Sequence, residues 1–311
     1  MIGTGPARLE AREVGKWFGE VVAVGRCDLA VGGGVVGLLG QNGAGKTTLF
    51  KLLSGLITPS RGEVLLDGLP LRDHVGLYRR LGFCPESEAL PGWLTGREFL
   101  TMLTRLAGVP AGKVRPRVDE LLERFELTAA AGRRLGGYSK GMRQKLKLAQ
   151  AMAHDPDILF LDEPLNGMDP VSRHAAIGAI RGLGEEGRTV LVSSHILPEV
   201  EEMTRAIVLI HRGKVLAEGD VTEIRDLIPE HPTVVALRGS RPRELAAYLV
   251  GLDHVVGVDC EPDGRVVVRT DHALAFYRAL PGRLLDSGLD VEEIHTLDDD
   301  LESVFSYLTG E

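Results

Sequence analysis

The chain has 311 residues, 44% of them hydrophobic and 26% charged, with a formal net charge of −8. This length suits one large domain or two modest ones, and the apolar content suffices for a packed core. The acidic balance argues against a nucleic-acid partner, because nucleic acids are bound by clustered Lys and Arg side chains. The three cysteines show no metal-ligand spacing, and their odd number disfavours a disulfide framework.

The first residues lack a basic segment followed by an apolar one, so no signal peptide is predicted. No run approaches the roughly 20 apolar residues of a membrane-spanning helix. We therefore expect a cytoplasmic chain that acts at a membrane only through a partner.

Three short strands are predicted before the first motif: 9–14, 21–24 and 27–31. The glycine run 32–34 is predicted to end the third of them. Two aromatic residues, Trp17 and Phe18, lie beside the turn after the first strand. Phe18 could stack on a nucleobase, since stacking tolerates any base. Ordinary packing in the core is an equally good interpretation of both rings.

The stretch 40–47 fits the Gly-x4-Gly-Lys-Ser/Thr pattern of a phosphate-binding loop, with a strand-length apolar run before it and helical spacing after it. Free N–H groups and the dipole at a helix start attract an anion. Gly43 and Gly45 let the backbone curl around phosphates. Lys46 can reach the β- and γ-phosphates, and the Thr47 hydroxyl can bind Mg²⁺. The loop predicts a nucleoside triphosphate site with these candidate contacts: Gly40, Asn42, Gly43, Ala44, Gly45, Lys46, Thr47 and Thr48.

A mostly helical insert is predicted at about 87–150, after a strand at 81–84. Thr95 and Glu98 form a capping-box pattern, in which each side chain satisfies a free N–H group at the helix start. Apolar residues then recur at helical spacing on two successive helices. They are Phe99, Leu103 and Leu106 on the first helix and Val114, Val118, Leu121 and Phe125 on the second.

The segment 138–144 indicates a turn followed by a helix start. Within it, Ser139 and Gly141 can bind phosphate through a hydroxyl and through backbone N–H groups. They are therefore further candidate contacts to the nucleotide.

Two carboxylates follow the apolar run 158–161, which is typical of a strand buried on both faces. Ligands bind beyond the carboxyl ends of such strands, so Asp162 is a candidate Mg²⁺ ligand. Glu163 could polarise a water molecule in line with the γ-phosphate. A second buried strand, 189–194, leads to His195 at the same edge, although a lone histidine at a strand end is more often structural.

Taken in chain order, these segments resemble the ATP-binding cassette (ABC) ATPases that drive membrane transporters, over roughly residues 8–228. The motifs that carry the resemblance are Walker A at 40–47, the signature loop at 139–141, Walker B at 158–163, the D-loop at 166–169 and the switch histidine His195. The resemblance implies an α/β fold, a P-loop NTPase cassette with a mixed sheet core and the helical insert. It also implies ATP and Mg²⁺ as ligands and ATP hydrolysis as the activity.

The resemblance further implies two partners. A second copy would pair head to tail, so that each ATP lies between Walker A of one chain and Ser139 and Gly141 of the other. Asp169 would link the two sites across this dimer, and His195 would steady the γ-phosphate beside the catalytic Glu163. A separately encoded, multi-spanning permease would hold the chain as a peripheral protein on the inner face of the membrane.

Two positions depart from the family's usual pattern. The signature loop reads Tyr-Ser-Lys-Gly-Met, which keeps Ser139 and Gly141 but places Lys140 between them. Glu86 stands where the family normally carries a metal-coordinating Gln. A carboxylate can also bind Mg²⁺, so we expect Glu86 to keep that role. The alternative is a loop carboxylate that faces solvent.

A second domain is predicted at 233–311, after a first domain at 1–228 and a linker at 229–232. Its predicted strands are 233–237, 255–260, 265–270 and 289–295, and its helices are 242–250, 273–280 and 301–308. This order is the split βαβ pattern of a small α/β sandwich of ferredoxin-like type. It resembles the C-terminal domain on ATPases of drug- and lipid-exporting transporters, so the resemblance favours export.

The main alternative is a soluble cassette protein that acts on ribosomes or DNA. Such proteins usually carry two cassettes or a long coiled coil, whereas this chain has one Walker A, no heptad array and an acidic balance. A cassette that has lost catalysis is also disfavoured, because the Walker and switch residues are all present.

Overall fold

The computed structural model describes residues 2–87, 90–226 and 232–297. The chain divides into two units, Met1–Gly219 and Asp220–Glu311. The predicted first domain, 1–228, also includes the helix at Val221–Asp226, which groups with the second unit.

A mixed sheet of nine strands forms the centre of the first unit, counted over the described residues. The strands are β1 (Thr4–Phe18), β2 (Val21–Leu39), β3 (Arg61–Leu66), β4 (Leu69–Pro70), β5 (Leu81–Cys84), β6 (Ile158–Asp162), β7 (Thr189–Ser194), β8 (Ala206–His211) and β9 (Lys214–Asp220). Strands β2, β7, β6 and β5 lie side by side and parallel, and β8 is also parallel to β2. Strand β1 is antiparallel to β2 and β3. The predicted mixed α/β sheet is confirmed.

Helices cover both faces of the parallel strands. In the first unit they are α1 (Lys46–Leu53), α2 (Gly96–Leu106), α3 (Ala111–Arg124), α4 (Lys140–Ala151), α5 (Pro170–Glu185) and α6 (Leu197–Glu201), with short 3₁₀ turns at Leu71–Asp73, Val75–Arg80, Thr128–Ala130 and Leu135–Gly137. Alternate residues of β6 point to opposite faces. Phe160 packs in the core that contains α1, whereas Leu159 and Leu161 pack in the core that contains α5 and the insert. Burial on both faces explains why β6 is apolar throughout until its last residue.

The residues predicted as three short strands near the N-terminus all lie in strands, but the predicted bounds are wrong, because these residues belong to two long strands. The glycine run 32–34 does not end a strand, and β2 continues through it to Leu39. A side chain at Gly32 would place its Cβ 2.7 Å from the carbonyl oxygen of Thr4 on β1. Glycine is needed at this position because two backbones approach each other closely. A glycine run can therefore lie inside a paired strand, although the same run in a sequence also predicts a turn.

Helices α2, α3 and α4 follow β5, in the segment predicted as a helical insert. The capping box is confirmed: the Glu98 carboxylate accepts from the Thr95 N–H at 2.8 Å, and Thr95 Oγ1 accepts from the Glu98 N–H at 3.2 Å. The apolar face predicted for α3 is buried. The face predicted for α2 is wrong at Leu106, which is 76% exposed. Leu103 packs against the core, whereas Leu106, the last residue of α2, lies beyond the end of this core-facing stripe.

The second unit contains α7 (Val221–Asp226), β10 (Thr233–Arg238), α8 (Pro242–Leu249), β11 (Val255–Cys260), β12 (Arg265–Thr270), α9 (Ala273–Ser287) and β13 (Glu293–Thr296). Its sheet is antiparallel with the order β11-β12-β10-β13. Assignment of this unit to the ferredoxin-like type stays a prediction that the strand order supports. The predicted helix at 301–308 lies outside the described residues, as does 229–231 of the predicted linker.

Candidate functional site

The site lies where three parallel strands end at one edge of the sheet. Leu39 at the end of β2 is in register with Ser194 at the end of β7, and Ser193 is in register with Asp162 at the end of β6. The residues that follow each strand therefore come together, although they are far apart in sequence. Ligands of α/β proteins bind beyond such carboxyl ends.

The loop after β2 passes directly into α1, whose first residue is Lys46. Gly45 has a φ of +108°, and a Cβ on it would lie 2.7 Å from the carbonyl oxygen of Ala23. Only glycine fits this backbone. Lys46 is buried, and its ammonium donates to the carbonyl oxygens of Gly40 at 2.5 Å and of Gln41 at 3.3 Å. The loop thus positions a buried cation beside the free N–H groups of a helix start, an arrangement that suits an anion.

Asp162 is buried and is held by two hydroxyl groups. Thr47 Oγ1 donates to Asp162 Oδ2 at 2.8 Å, and Ser193 Oγ donates to Asp162 Oδ1 at 2.6 Å. Ser193 Oγ also accepts from the Glu163 N–H at 3.0 Å. We did not predict Ser193 as a site residue, although a polar residue at the end of a buried apolar strand was a usable signal.

Glu163 has a strained backbone and a buried side chain. Its φ is +47°, which is uncommon outside glycine, and it is 6% exposed. Oε2 lies 2.9 Å from Nδ1 of His195, and Oε1 lies 3.4 Å from Nζ of Lys46. Such strain persists where the surrounding structure holds a residue in place, often at functional sites.

A cleft of about 490 Å³ opens over this edge. It is lined by Val21, Val22, Ala23, Gln41, Asn42, Gly43, Gly45, Lys46, Thr47, Thr48, Glu86, Glu163, Arg212 and Gly213. Glu86 lines the cleft. This position is the one we expect of a residue that binds Mg²⁺. Arg212 is a cation at the cleft that we did not predict. Its position depends on the pairing of β8 with β2, and no motif in the sequence indicates that pairing.

Phe18 is not among the residues that line this cleft. Trp17 is 46% exposed and Phe18 54% exposed, so the alternative that these rings fill the core is wrong. The ammonium of Lys16 lies 5.1 Å from the centre of the Phe18 ring. A nucleobase contact by Phe18 stays a prediction.

Ser139, Gly141 and Asp169 also lie outside the lining of the cleft. Ser139 caps α4 by accepting from the Met142 N–H at 3.2 Å, and Asp169 caps α5 by accepting from the Ser172 N–H at 3.0 Å. Hydrogen bonds from the backbone N–H and the side chain of Ser172 lower the pKa of the Asp169 carboxyl. The two helix starts are neighbours, since a Cβ on Gly141 would be 4.0 Å from the Asp169 carboxylate.

Glu199 lies on α6, shortly after His195 in the chain, and we did not predict it as a residue near the site. Its carboxylate accepts from Ser194 Oγ at 3.4 Å, and its other oxygen lies 3.2 Å from Nε of Arg173 on α5. Burial raises the pKa of Glu199, and the charge of Arg173 opposes this rise. A buried carboxylate here supports the segment that carries His195.

The donor set suits a hard cation such as Mg²⁺, which prefers oxygen ligands. The Thr47 hydroxyl and the Asp162 carboxylate are in contact, and Glu86 lines the same cleft. Across the described parts of the chain, no cluster of three or more His, Cys, Asp or Glu could hold a metal by itself.

Comparison with known proteins identifies the family. The sequence profile described as ABC transporter matches residues 30–166. The daunorubicin resistance ATP-binding protein DrrA2 of Streptomyces coeruleorubidus is 37% identical to this chain, over 97% of the chain and 94% of that relative. The chain belongs to the ABC transporter family. This ABC protein is an ATP-hydrolysing, nucleotide-binding subunit of the type that powers a separate membrane permease.

Two further similarities agree with this assignment. The Nod factor export ATP-binding protein I of Cupriavidus metallidurans is 36% identical to this ABC protein, over 71% of the chain and 73% of that relative. The dimeric structure of a bacterial ABC transporter cassette matches with a TM-score of 0.63 at 25% identity, covering 68% of this chain and 98% of that one.

Within the described residues, no helix of this ABC protein has the length and apolarity needed to span a bilayer.

Proposed function

We propose that this ABC protein is the ATPase subunit of an exporter and is held at the cytoplasmic face of the membrane by its permease. One observation carries the catalytic part: a phosphate loop, two adjacent carboxylates and a histidine meet at one sheet edge. At this edge of the sheet, Lys46 and His195 both contact the carboxylate of Glu163.

The roles of the residues follow from their positions. Lys46 and the N–H groups of the loop bind the β- and γ-phosphates, as the buried cation and the helix start suggest. Thr47 and Asp162 hold Mg²⁺, with Glu86 at the rim of the cleft. When bound, Mg²⁺ neutralises charge that develops on the phosphate oxygens.

Glu163 acts as the base that orients and activates the attacking water. His195 orients Glu163 through their 2.9 Å contact and can also bind the γ-phosphate. As the water oxygen bonds to the γ-phosphorus, its proton passes to the Glu163 carboxylate and the bond between the β-γ bridging oxygen and the γ-phosphorus breaks. ADP and inorganic phosphate are the products.

Two copies of the chain bind ATP head to tail. Ser139 and Gly141 lie at the start of α4, outside the cleft of their own chain, so they are available to a nucleotide on a second copy. Asp169 caps the neighbouring helix and lies beside Gly141, a suitable position to link the two sites. The similarity to a dimeric ABC cassette supports this arrangement.

Export is supported by the relatives named for drug resistance and Nod factor export. The resemblance of the C-terminal unit to that of exporter ATPases supports the same direction. Action on ribosomes or DNA is not supported, because the net charge of −8 opposes nucleic-acid binding.

A tagged Glu163→Gln variant tests the proposal, since it should bind ATP and hydrolyse it very slowly. Membranes are solubilised in mild detergent with Mg-ATP, and the proteins that copurify are identified. We expect a multi-spanning protein in stoichiometric amount, and the same protein in reduced amount with a Lys46→Ala variant. Ribosomal or DNA-bound partners without any membrane protein would overturn the proposal.

A further inference from the structure

Lys147 is a buried lysine whose ammonium contacts the loop after β5. It lies on α4 and is 2% exposed. Its Nζ donates to three successive carbonyl oxygens, those of Pro85 at 2.8 Å, Glu86 at 2.9 Å and Ser87 at 3.4 Å. An ammonium has three N–H donors, so one side chain can satisfy all three acceptors. A buried cation is costly unless it is hydrogen-bonded, and these carbonyls supply that compensation.

The same face of α4 also contacts the other side of the site. Gln144 lies three residues before Lys147, a spacing that puts both side chains on one helix face. Gln144 is 3% exposed, and its Nε2 lies 3.5 Å from the carbonyl oxygen of Glu163. Ser139 caps the start of this helix. One helix thus connects the loop of Glu86, the backbone of Glu163 and the capping Ser139.

The side chain of Glu86 is exposed and lines the cleft, so its placement depends on the backbone of its loop. Lys147 contacts the backbone of this residue and of both its neighbours. A second lysine of α4, Lys145, pairs instead with Glu126, away from that loop. Lys147 therefore contacts the loop of Glu86, whereas Lys145 on the same helix contacts Glu126.

We infer that Lys147 is a positioning residue for Glu86: it fixes the loop from α4 so that the Glu86 carboxylate can bind the metal of Mg-ATP. The inference rests on the proposed function, in which Glu86 is a metal ligand. It adds a defined physical link between the helix that begins at Ser139 and the metal side of the cleft. Lys147 itself need not touch the nucleotide.

The experiment compares Lys147→Met with the matched control Lys145→Met in the full chain. The dissociation constant of a fluorescent ATP analogue is measured with Mg²⁺ and with EDTA, and the ratio gives the gain in affinity due to the metal. Residues that orient metal ligands typically contribute 10–100-fold to metal affinity, so we expect this gain to fall about tenfold in Lys147→Met. Lys145→Met should retain it.

A double-mutant cycle with Glu86→Ala, which removes the proposed metal ligand, separates positioning from general support. If Lys147 acts through Glu86, Lys147→Met should lower the gain little further in the Glu86→Ala background. If the losses of Mg²⁺-dependent gain caused by the two single substitutions add in full in the double variant, the inference is overturned. Amide exchange should also rise at 82–87 and stay unchanged at 40–48.

If Lys147→Met does not fold, Lys147→Arg is measured instead. A guanidinium has five N–H donors, but they lie in one plane and match these three carbonyl oxygens less well than an ammonium does, so a smaller fall of about threefold is expected. An unchanged gain in a folded Lys147 variant would overturn the inference alone. A wild-type chain without any Mg²⁺-dependent gain would overturn the proposed function itself.

Discussion

Nδ1 of His195 lies 2.9 Å from Oε2 of Glu163, although 32 residues separate them in sequence. The contact exists because β6 and β7 are adjacent and parallel, with Asp162 in register with Ser193. The residue after each strand therefore meets its counterpart beyond the sheet edge. A base oriented by a second group in this way is ready to activate a nucleophile.

Replacing Glu163 by Gln removes the proposed base but keeps the shape of the side chain. We expect ATP hydrolysis to fall by about 10²–10⁴-fold, the usual contribution of a positioned base, while ATP still binds. Phosphate release and nucleotide binding are measured on the same sample. Glu185→Gln, an exposed change at the end of α5, should leave both unchanged. Wild-type hydrolysis by Glu163→Gln would exclude this role.

Replacing Gly45 by Ala introduces a Cβ where the carbonyl oxygen of Ala23 lies 2.7 Å away and φ is +108°. We expect loss of nucleotide binding and a lower free energy of unfolding, by about 1–3 kcal/mol from backbone strain. Binding is followed by nucleotide fluorescence and stability by urea unfolding. The control is Gly178→Ala on α5, where the added Cβ meets nothing within 4 Å. This control should stabilise the protein by about 0.5–1 kcal/mol, and equal effects of the two changes would contradict the expectation.

Glu199 should make the stability depend on pH in a defined direction. Burial raises its folded-state pKa above the ordinary value of 4.5, although Arg173 opposes the rise. The stabilising contribution is therefore present below the ordinary pKa and is lost as the pH rises through the folded-state pKa. The free energy of unfolding of wild type minus that of Glu199→Gln should fall as the pH increases from about 4 to 7. Urea unfolding at several pH values checks this, with Glu185→Gln as the flat control; a rise with pH would refute it.

The cysteines should differ in reactivity. Burial raises the pKa of Cys27 and of Cys84 to about 12, whereas Cys260 is exposed. Because the thiolate is the reactive form, a thiol reagent at pH near 8 should modify one cysteine rapidly in the native protein and three after denaturation. Cys260→Ser should abolish the rapid reaction. Rapid reaction of two or more thiols in the native chain would contradict the burial of Cys27 and Cys84.

The sequence predicted the features of the fold and the site that depend on a local pattern of residues. The loop around Gly45 and the capping box at Thr95 each depend on a few neighbouring residues, and both occur as expected. The residues of β6 before Asp162 are all apolar because both faces of that strand are buried. For such features, residue type and spacing determine the structure directly.

The remaining features depend on which strands pair. Arg212 reaches the site only because β8 lies beside β2, and nothing in its own segment indicates this. Ser193 meets Asp162 through the pairing of β7 with β6, although the polar end of its apolar strand was a usable signal. The glycine run 32–34 was misinterpreted for the same reason, since the close neighbour that requires it is Thr4 on another strand. Leu106 was misplaced because the spacing of apolar residues along a helix does not show how far the neighbouring core extends.

Strand β2 has a consequence for how the cleft can respond to its ligand. Its first residues, Val21 to Ala23, and the loop after its last residue both line the cleft, so a single strand supplies two of the rims. The rims are joined through continuous backbone that is hydrogen-bonded to β1 over its first part and to β7 over its last. The rims already approach each other, since a Cβ on Gly45 would lie 2.7 Å from the carbonyl oxygen of Ala23. A nucleotide that binds both rims therefore ties the two ends of one strand together, and amide exchange should slow at both ends of β2 when it binds.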